Sequence, residues 1–262
     1  MKITLTFLYL GIALALNGQS LPSTQKIAVA ISGPIKVDGA FDEIKDNLQA
    51  YNKATNIYYT LANNEENLYL AIQVTDPLTF RKIIGGGISF TICNSGDKNQ
   101  ANPAVITYPL IDERSKFPLS NLFNNLLTER TATAREEVFT LLSKGFPAAQ
   151  REIGVKGIKE IEDKEISVYN TNGIKAKAVV NRDAKMCFEL ILPLKLLGLD
   201  RPHQTIAYNI MLNGMALHQV VKPGANGQTV TVTDVPIGAA GGNNDYRELQ
   251  YPTDFWAKYT LY

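Results

Sequence analysis

Hydrophobic and polar residues alternate with a period of two along most of the chain, which predicts β-strands. In residues 67–75 the apolar side chains share one face, and residues 57–61 alternate in the same way. The turn-rich residues 63–66 lie between these two segments, so the pair predicts a β-hairpin. Further strands are predicted at residues 26–31, 87–93, 205–212, 228–235 and 255–262.

A second group of strands is predicted in the middle of the chain. Thr171-Asn172-Gly173 separates residues 165–169 from residues 174–180, and Asn-Gly is a strong hairpin signal. Residues 181–184 form another turn, which leads into an alternating strand at residues 185–192. We therefore expect two consecutive antiparallel connections here.

One segment follows a helical period instead. Its apolar residues recur at the spacing of a helix face: Leu119, Leu122, Phe123, Leu126 and Leu127. Pro118 suits a first turn, Gly145 suits a stop, and Thr133 with Glu136 matches a capping box, which divides the segment into two short helices. We interpret residues 118–144 as a helical insertion in an antiparallel β-sandwich of the jelly-roll or immunoglobulin-like kind.

Composition supports a folded chain and excludes several classes of function. The chain has 262 residues, of which 45% are hydrophobic and 19% charged, so it is long enough for a substantial core. Its formal net charge is +1, which gives no basis for a nucleic-acid surface. Two cysteines and two histidines exclude a disulfide-dense scaffold and most zinc sites. Cys93 and Cys187 fall in predicted strands, where a disulfide and two buried thiols are equally compatible with the sequence.

The first residues have the pattern of a signal peptide. Lys2 precedes an apolar run at residues 3–16, and a polar segment with Gly18 follows. The run is shorter than the roughly 20 residues that a membrane-spanning helix needs, and no later apolar stretch reaches that length. We expect cleavage after Gly18, one domain at residues 19–262, no membrane span, and a secreted, periplasmic or cell-surface location.

Sequence signatures of catalysis are missing. The chain contains no Gly-x-Ser-x-Gly elbow and no His-Glu-x-x-His, and His203 and His218 lie in separate segments. Residues 83–87 contain three consecutive glycines but no phosphate-loop lysine, which favours a kinked entry into a strand. We expect no enzyme activity and no resident cofactor.

Two segments have the chemistry of ligand sites, although each has a simpler interpretation. Residues 94–99 carry side-chain oxygens for calcium, but Lys98 stands among them and a polar loop fits better. Met211, Met215 and His218 lie close together along the chain, and Met/His pairs ligate haem iron in some proteins, but the chain has no haem attachment motif. Calcium is therefore a minor alternative, and whether any metal binds stays open.

The aromatic residues give the strongest indication of a binding surface. In residues 254–262, Phe255, Tyr259 and Leu261 share the face expected to point into the core, so Trp256 lies on the outer face. An exposed indole is a surface against which the apolar face of a sugar ring stacks. The alternative is that Trp256 covers a sheet edge or packs under the insertion.

Three segments of the chain carry recognisable motifs: residues 35–43, 67–76 and 188–199. Taken in this order, they resemble family 9 carbohydrate-binding modules, which belong to the broader DOMON-like group. Residues 35–43 (IKVDGAFDE) resemble the family's V/I-D-G-x-x-D-E opening, and residues 67–76 (NLYLAIQVTD) resemble its N-L-Y strand. Residues 188–199 (FELILPLKLLGL) resemble its E-x-x-I-P strand and turn. The closing residues 253–256 are similar to the endings of secreted Bacteroidetes proteins with this domain.

The resemblance implies a β-sandwich whose relatives bind sugars or haem, with departures that concern the ligand. Family members carry a tryptophan after the opening motif, where this chain has Ile44 and Leu48, and sugar-binding members use two tryptophans. Asp38, Gly39 and Asp76 are expected to hold turns.

These observations predict an exported, non-catalytic sandwich that binds a polysaccharide or oligosaccharide. Trp256 is the expected stacking platform, and Tyr246, Arg247 and Tyr251, on the preceding loop, are expected to contribute hydrogen bonds. Two alternatives stay open. A structural or interaction module with a cell-surface protein partner predicts a buried Trp256 and an apolar patch on the insertion. A glycoside hydrolase would need two carboxylates in a cleft. The candidates for such a pair are Glu160, Glu162, Asp163 and Glu165.

Overall fold

The computed structural model describes residues 20–45, 47–199, 201–215, 219–223, 229–233 and 245–262; at 219–223, 229–233 and 245–247 the description concerns the backbone. The strands are β1 (Ala50–Asn52), β2 (Ile57–Asn63), β3 (Asn67–Val74), β4 (Ile88–Cys93), β5 (Ala104–Leu110), β6 (Glu152–Lys156), β7 (Glu165–Ser167), β8 (Lys175–Val180), β9 (Met186–Pro193), β10 (Thr205–Leu212), β11 (Gln219–Pro223), β12 (Thr229–Thr233) and β13 (Thr253–Thr260). The α-helices are α1 (Pro77–Gly86), α2 (Glu113–Thr128), α3 (Ala132–Ala148) and α4 (Asp245–Gln250). Short 3-10 helices lie at Asp42–Ile44 and Leu194–Leu197.

Two antiparallel sheets pack face to face. One has five strands in the order β1-β2-β3-β9-β8, and the other has six in the order β13-β10-β4-β5-β6-β7. The inward residues of both sheets form one large core, in which the hydroxyls of Tyr59 (β2) and Tyr208 (β10) lie 2.9 Å apart. β11 and β12 form a separate hairpin. The predicted mainly β antiparallel sandwich with a helical insertion is confirmed.

The five-stranded sheet is covered on its outer face as well. Residues 29–45, which we call the N-terminal strap, place Ile31, Phe41 and Ile44 on a second apolar cluster. The sheet contributes Tyr69 and Ala71 to this cluster. Both faces of β3 are therefore buried, although only one face of the strand consists of aliphatic residues.

Two of the predicted hairpins are confirmed, and the predicted hairpin at Asn172-Gly173 is wrong. β2 pairs with β3, and β8 pairs with β9, both antiparallel as the turns indicated. β7 and β8, however, lie in different sheets, so the segment with Gly173 (φ 81°) carries the chain from one sheet to the other. A turn sequence specifies the local bend, whereas the partner of each strand is set by which apolar face it buries.

The strand predicted at residues 26–31 is reduced to a single bridge between Ala30 and Asn63. The short strand β1 pairs only with residues 57–59 of β2, and next to this pairing the Gln25 side chain forms hydrogen bonds with the β2 backbone. Gln25 Oε1 accepts from the N–H of Leu61 at 2.7 Å, and Gln25 Nε2 donates to its carbonyl at 2.7 Å. A side chain thus replaces the strand ladder there. The strand predicted at 228–235 is β12 within the described residues.

The helical insertion consists of two helices, and it is longer than predicted. α2 starts five residues earlier than expected, because Asp112 accepts hydrogen bonds from the backbone N–H groups of Arg114 and Ser115, and Pro118 lies inside the helix. α3 is capped by Thr131 rather than by the predicted box at Thr133, and it continues through Gly145. Leu119, Phe123 and Leu126 are buried as predicted, and Phe123 stacks on Phe80 of α1 with ring centroids 3.6 Å apart.

α1 was not predicted, and the interpretation of residues 83–87 as a kinked strand entry is wrong. Asp76 caps α1, Pro77 occupies its first turn, and Gly85 and Gly86 lie in its last turn. Gly87, with φ 76°, turns the chain into β4. A Cβ at Gly87 would lie 2.7 Å from the Pro109 carbonyl oxygen, so only glycine fits this turn.

Candidate functional site

Trp256 lies on the outer face of the edge strand β13. Its neighbours Phe255 and Tyr259 are buried in the core, whereas the Trp256 side chain is 39% exposed. Across the sheet it pairs with Asn209 of β10. The Asn209 amide donates to Asp254 Oδ2 at 2.6 Å and to the Phe255 carbonyl at 2.9 Å, which fixes the strand beneath the indole. The predicted outward orientation of Trp256 is confirmed.

The segment before β13 is a helix rather than the predicted loop. Tyr246 and Arg247 lie in α4, and Tyr251 follows its last residue. The Tyr251 side chain is 66% exposed. Since Leu249 of α4 is buried, its apolar side chain anchors the helix on the body of the protein.

A cleft of about 550 Å³ opens beside Tyr251 at one end of the sandwich. It lies between α1, α4 and the turn that follows β1. Its polar and aromatic lining residues are Thr55, Asn56, Asp76, Thr79, Lys82, Glu248, Tyr251 and Thr253. Of the predicted site residues, the structure brings Tyr251 to this cleft.

Lys82 forms the most unusual part of the cleft, because it is a lysine that is only 5% exposed. Its ammonium donates to the Thr253 hydroxyl at 3.1 Å. Burial lowers the pKa of the Lys82 amine, and the nearby Glu248 carboxylate partly offsets this effect. An ammonium has three N–H donors, and Thr253 is its one hydrogen-bond partner within the described part of the chain. Lys82 thus keeps donor capacity for a ligand.

Acceptors and an amide surround this donor. Asp76 Oδ2 accepts from the backbone N–H and the hydroxyl of Thr79, both at 2.7 Å, and this holds the carboxylate at the start of α1. Asn56, with φ 52°, accepts a hydrogen bond from the Tyr51 hydroxyl on its Oδ1 at 3.2 Å. The N–H₂ group of the Asn56 amide can therefore donate to a ligand. The cleft therefore offers both donors and acceptors beside an exposed aromatic ring.

Tyr251 and Trp256 belong to two different surfaces. Thr253 pairs with the inward residue Leu212 and lines the cleft, whereas Trp256 projects from the opposite face of the same strand. Sequence reasoning found both aromatic residues but missed Lys82 and the role of Asp76. Asp76-Pro77 is a helix-start signature that could have revealed α1, and Lys82 interrupts an apolar stretch that such a helix would bury.

The carboxylates suggested for a glycoside hydrolase lie in the exposed connection from β6 to β7 and at the first residue of β7. Glu160, Glu162, Asp163 and Glu165 are all exposed. Glu165 also borders a second cleft, of about 770 Å³, together with Asp112 and Glu152. The Ser115 hydroxyl lowers the pKa of Asp112, whereas a general acid requires a raised pKa.

The candidate metal segments have other roles or lie outside the described residues. In residues 94–99, Asp97 Oδ1 accepts from the Asn99 backbone, and the Asn94 amide donates to the Leu197 carbonyl. Among the described residues no group of three or more His, Cys, Asp or Glu side chains is placed to hold a metal ion. His218 lies outside that part of the chain.

Two of the three residues expected to hold turns, Asp38 and Gly39, do so. Asp38 Oδ1 accepts from the Ala40 N–H at 3.0 Å, and Gly39 has φ 97°. Asp76 caps a helix instead of a turn. Within the described residues no helix has the length and apolar character needed to cross a membrane.

Comparisons with known proteins give matches among solved structures. No known protein family matches the chain, and no curated protein matches it. A family 9 carbohydrate-binding module from Caldicellulosiruptor kristjanssonii in complex with glucose is 12% identical, with a TM-score of 0.35, over 72% of this chain and 78% of that chain. The module from the same organism in complex with cellotriose is 12% identical, also with a TM-score of 0.35, over 86% of this chain and 91% of that chain. The chain is thus similar to structures of the family that its sequence motifs resemble.

Proposed function

We propose that the protein is an exported, non-catalytic module that binds a polysaccharide or oligosaccharide in the cleft beside Tyr251. The observation that carries this proposal is the buried ammonium of Lys82, which keeps donor capacity in a cleft of about 550 Å³ that also contains an exposed tyrosine ring. Buried charges are costly, so a lysine held in this position, with no ion pair among the described residues, favours a polar ligand.

The arrangement fits a sugar because each sugar hydroxyl both donates and accepts. Lys82 and Asn56 supply donors, while Asp76 and Glu248 supply acceptors. Tyr251 presents a ring against which the apolar face of a pyranose packs. Tyr246 and Arg247, which precede Glu248 on α4, are proposed as further contacts.

Trp256 is proposed as a second stacking surface for the same saccharide, on the outer face of β13. Its exposure supports this role, but its separation from the cleft means that the two surfaces contribute independently. Export rests on the signal-peptide pattern of residues 1–18, which lie outside the described residues. A location at the cell surface, with a protein partner there, is part of the same proposal.

Isothermal titration of the mature protein with neutral oligosaccharides and soluble polysaccharides tests the proposal. We expect Tyr251→Ala and Lys82→Met each to weaken binding by about tenfold or more, since truncation of a hot-spot contact costs about 2 kcal/mol or more and about 1.4 kcal/mol corresponds to tenfold. Tyr169→Ala is the matched control, because Tyr169 is 90% exposed and lies away from the cleft.

The variants also separate the two surfaces. Loss of binding in the Tyr251 and Lys82 variants supports the cleft, and loss restricted to Trp256→Ala would move the site to the outer face. Circular dichroism confirms that each variant is folded. No heat of binding across the whole panel would refute saccharide binding.

A structural or interaction module is the second candidate, favoured by exposed apolar residues on the insertion. Phe117 and Leu127 of α2 and Leu141 of α3 are 45%, 41% and 59% exposed. The burial of Trp256 that this hypothesis requires is not observed. Sedimentation of the mature protein, compared with Leu141→Ser, checks whether this surface associates; a monomer at all concentrations would argue against self-association.

A further inference from the structure

The carboxylate of Glu189 lies completely buried beneath the N-terminal strap. Glu189 is in β9 and is 0% exposed. Its Oε2 accepts from the backbone N–H of Gly39 at 2.5 Å, and its Oε1 accepts from the Tyr69 hydroxyl at 2.6 Å. The bond to Gly39 joins the strap directly to the sheet across 150 residues of sequence. Glu189 is therefore a fixed point between the strap and the sheet.

Gly39 is adapted to this contact. Its φ of 97° lies in the region that favours glycine, and a Cβ there would overlap the side chain of Val179 on β8. The strap backbone can therefore approach the sheet closely enough to donate to Glu189. Ile31, Phe41 and Ile44 hold the strap on either side of this point through apolar contacts.

The charges around Glu189 do not neutralise it. On β3 it faces Tyr69 and Ala71, and on β8 it faces Lys177, which is directly opposite in register but forms no ion pair with it. From the strap, the charged groups that act on it are Asp38 and Glu43, which are both acidic. An ionised Glu189 would thus keep its two hydrogen bonds but lie out of contact with water and close to two like charges.

We propose that Glu189 is a proton-dependent latch, which holds the N-terminal strap on the sheet when it is protonated and loosens the strap when it ionises. Burial raises the pKa of Glu189 to about 7, the bonds from Tyr69 and Gly39 oppose this, and the nearby Glu43 and Asp38 add to it. Since the pKa is raised in the docked state above its usual value near 4.5, docking is fully supported below pH 4.5 and weakens as the pH rises to about 7.

The experiment measures amide hydrogen exchange in the mature protein between pH 5 and 8.5, corrected for the intrinsic exchange rate. The strap peptide around Gly39 reports on the latch, and the peptide of β10 reports on the core. We expect the opening constant of the strap to rise roughly tenfold per pH unit between pH 5 and 7 and to level off above pH 7, while β10 stays protected.

Three variants make the test specific. Glu189→Gln mimics the protonated acid, so its strap opening should not change with pH. Asp38→Asn keeps the bond to the Ala40 N–H but removes one like charge, so the rise should end at a lower pH. Glu152→Gln, an exposed carboxylate on β6, is the matched control and should behave as the wild type.

A wild-type strap whose protection does not vary with pH would overturn the proposal, as would an unchanged pH dependence in Glu189→Gln. Loss of protection in the strap and in β10 together would show global unfolding in place of a local latch. If Glu189→Gln does not fold, carbon-13 NMR of the wild-type Glu189 carboxyl decides: a midpoint near 7 supports the latch, and one near 4.5 refutes it.

Discussion

The buried tyrosine hydroxyls show how single atoms join the two sheets. Tyr59 of β2 and Tyr208 of β10 are both 0% exposed, and their hydroxyl oxygens are 2.9 Å apart. The Tyr59 hydroxyl also accepts from the backbone N–H of Gln25 at 3.1 Å. Burial raises the pKa of both tyrosines, so they remain neutral at any physiological pH. This small network fixes the N-terminal segment and both sheets relative to one another.

Removing the Tyr59 hydroxyl should therefore destabilise the protein. In Tyr59→Phe the Gln25 N–H loses its acceptor and the Tyr208 hydroxyl loses its partner, which should lower the free energy of unfolding by about 1–3 kcal/mol. Urea denaturation measures the change. Tyr51→Phe is the control, since its hydroxyl bonds Asn56 at the surface and its loss should cost about 0.5 kcal/mol or less. Equal effects of the two variants would contradict this account of the network.

At the scale of elements, α1 links stability to the candidate site. Asp76 caps this helix, and the helix places Lys82 in the cleft. Asp76→Ala should cost about 1 kcal/mol of stability, because the Thr79 N–H loses its acceptor. Saccharide affinity should fall as well, whereas Asp76→Asn, which can still cap the helix, should retain most of the stability. Denaturation and titration of the same samples separate the two effects, and unchanged stability in Asp76→Ala would show that the cap is dispensable.

Local pattern predicted some elements and failed for others for identifiable reasons. β2, β3, β8 and β9 were predicted because each alternates and is bounded by turn residues. The connection from β7 to β8 was wrong, since Asn172-Gly173 specifies a bend but not the sheet that the next strand joins. α1 was missed because its last turn contains glycines that usually mark the end of an element.

At the scale of the whole molecule, the candidate site depends on contacts that no local pattern contains. Trp256 was placed correctly because alternation within β13 is sufficient for that. The burial of Lys82 requires α1, α4 and β13 to meet, and Glu189 is buried only because a strap about 150 residues earlier in sequence covers it. Such groups carry the proposed chemistry, and they are visible only once the chain is folded.

The two sheets also decide the state of the cysteines, which the sequence left open. Cys93 lies on the outer side of β4 in the six-stranded sheet, and Cys187 lies on the outer side of β9, in the cluster beneath the strap. Both are buried, and the main core lies between them. Packed sheets are about 10 Å apart, whereas the Cα atoms of a disulfide lie within about 7 Å, so the two residues cannot be bridged in this fold.

Reduction should consequently leave the melting temperature of the protein unchanged. Burial raises the pKa of the Cys93 thiol, with a further contribution from Asp97, so it should react slowly with a thiol reagent in the native state. In denaturant and without prior reduction, we expect a thiol reagent to detect two thiols per chain. A Cys93→Ser variant should then yield one thiol. A lower melting temperature in reductant, or fewer than two thiols in the denatured wild type, would require a disulfide and therefore a different arrangement of the two sheets.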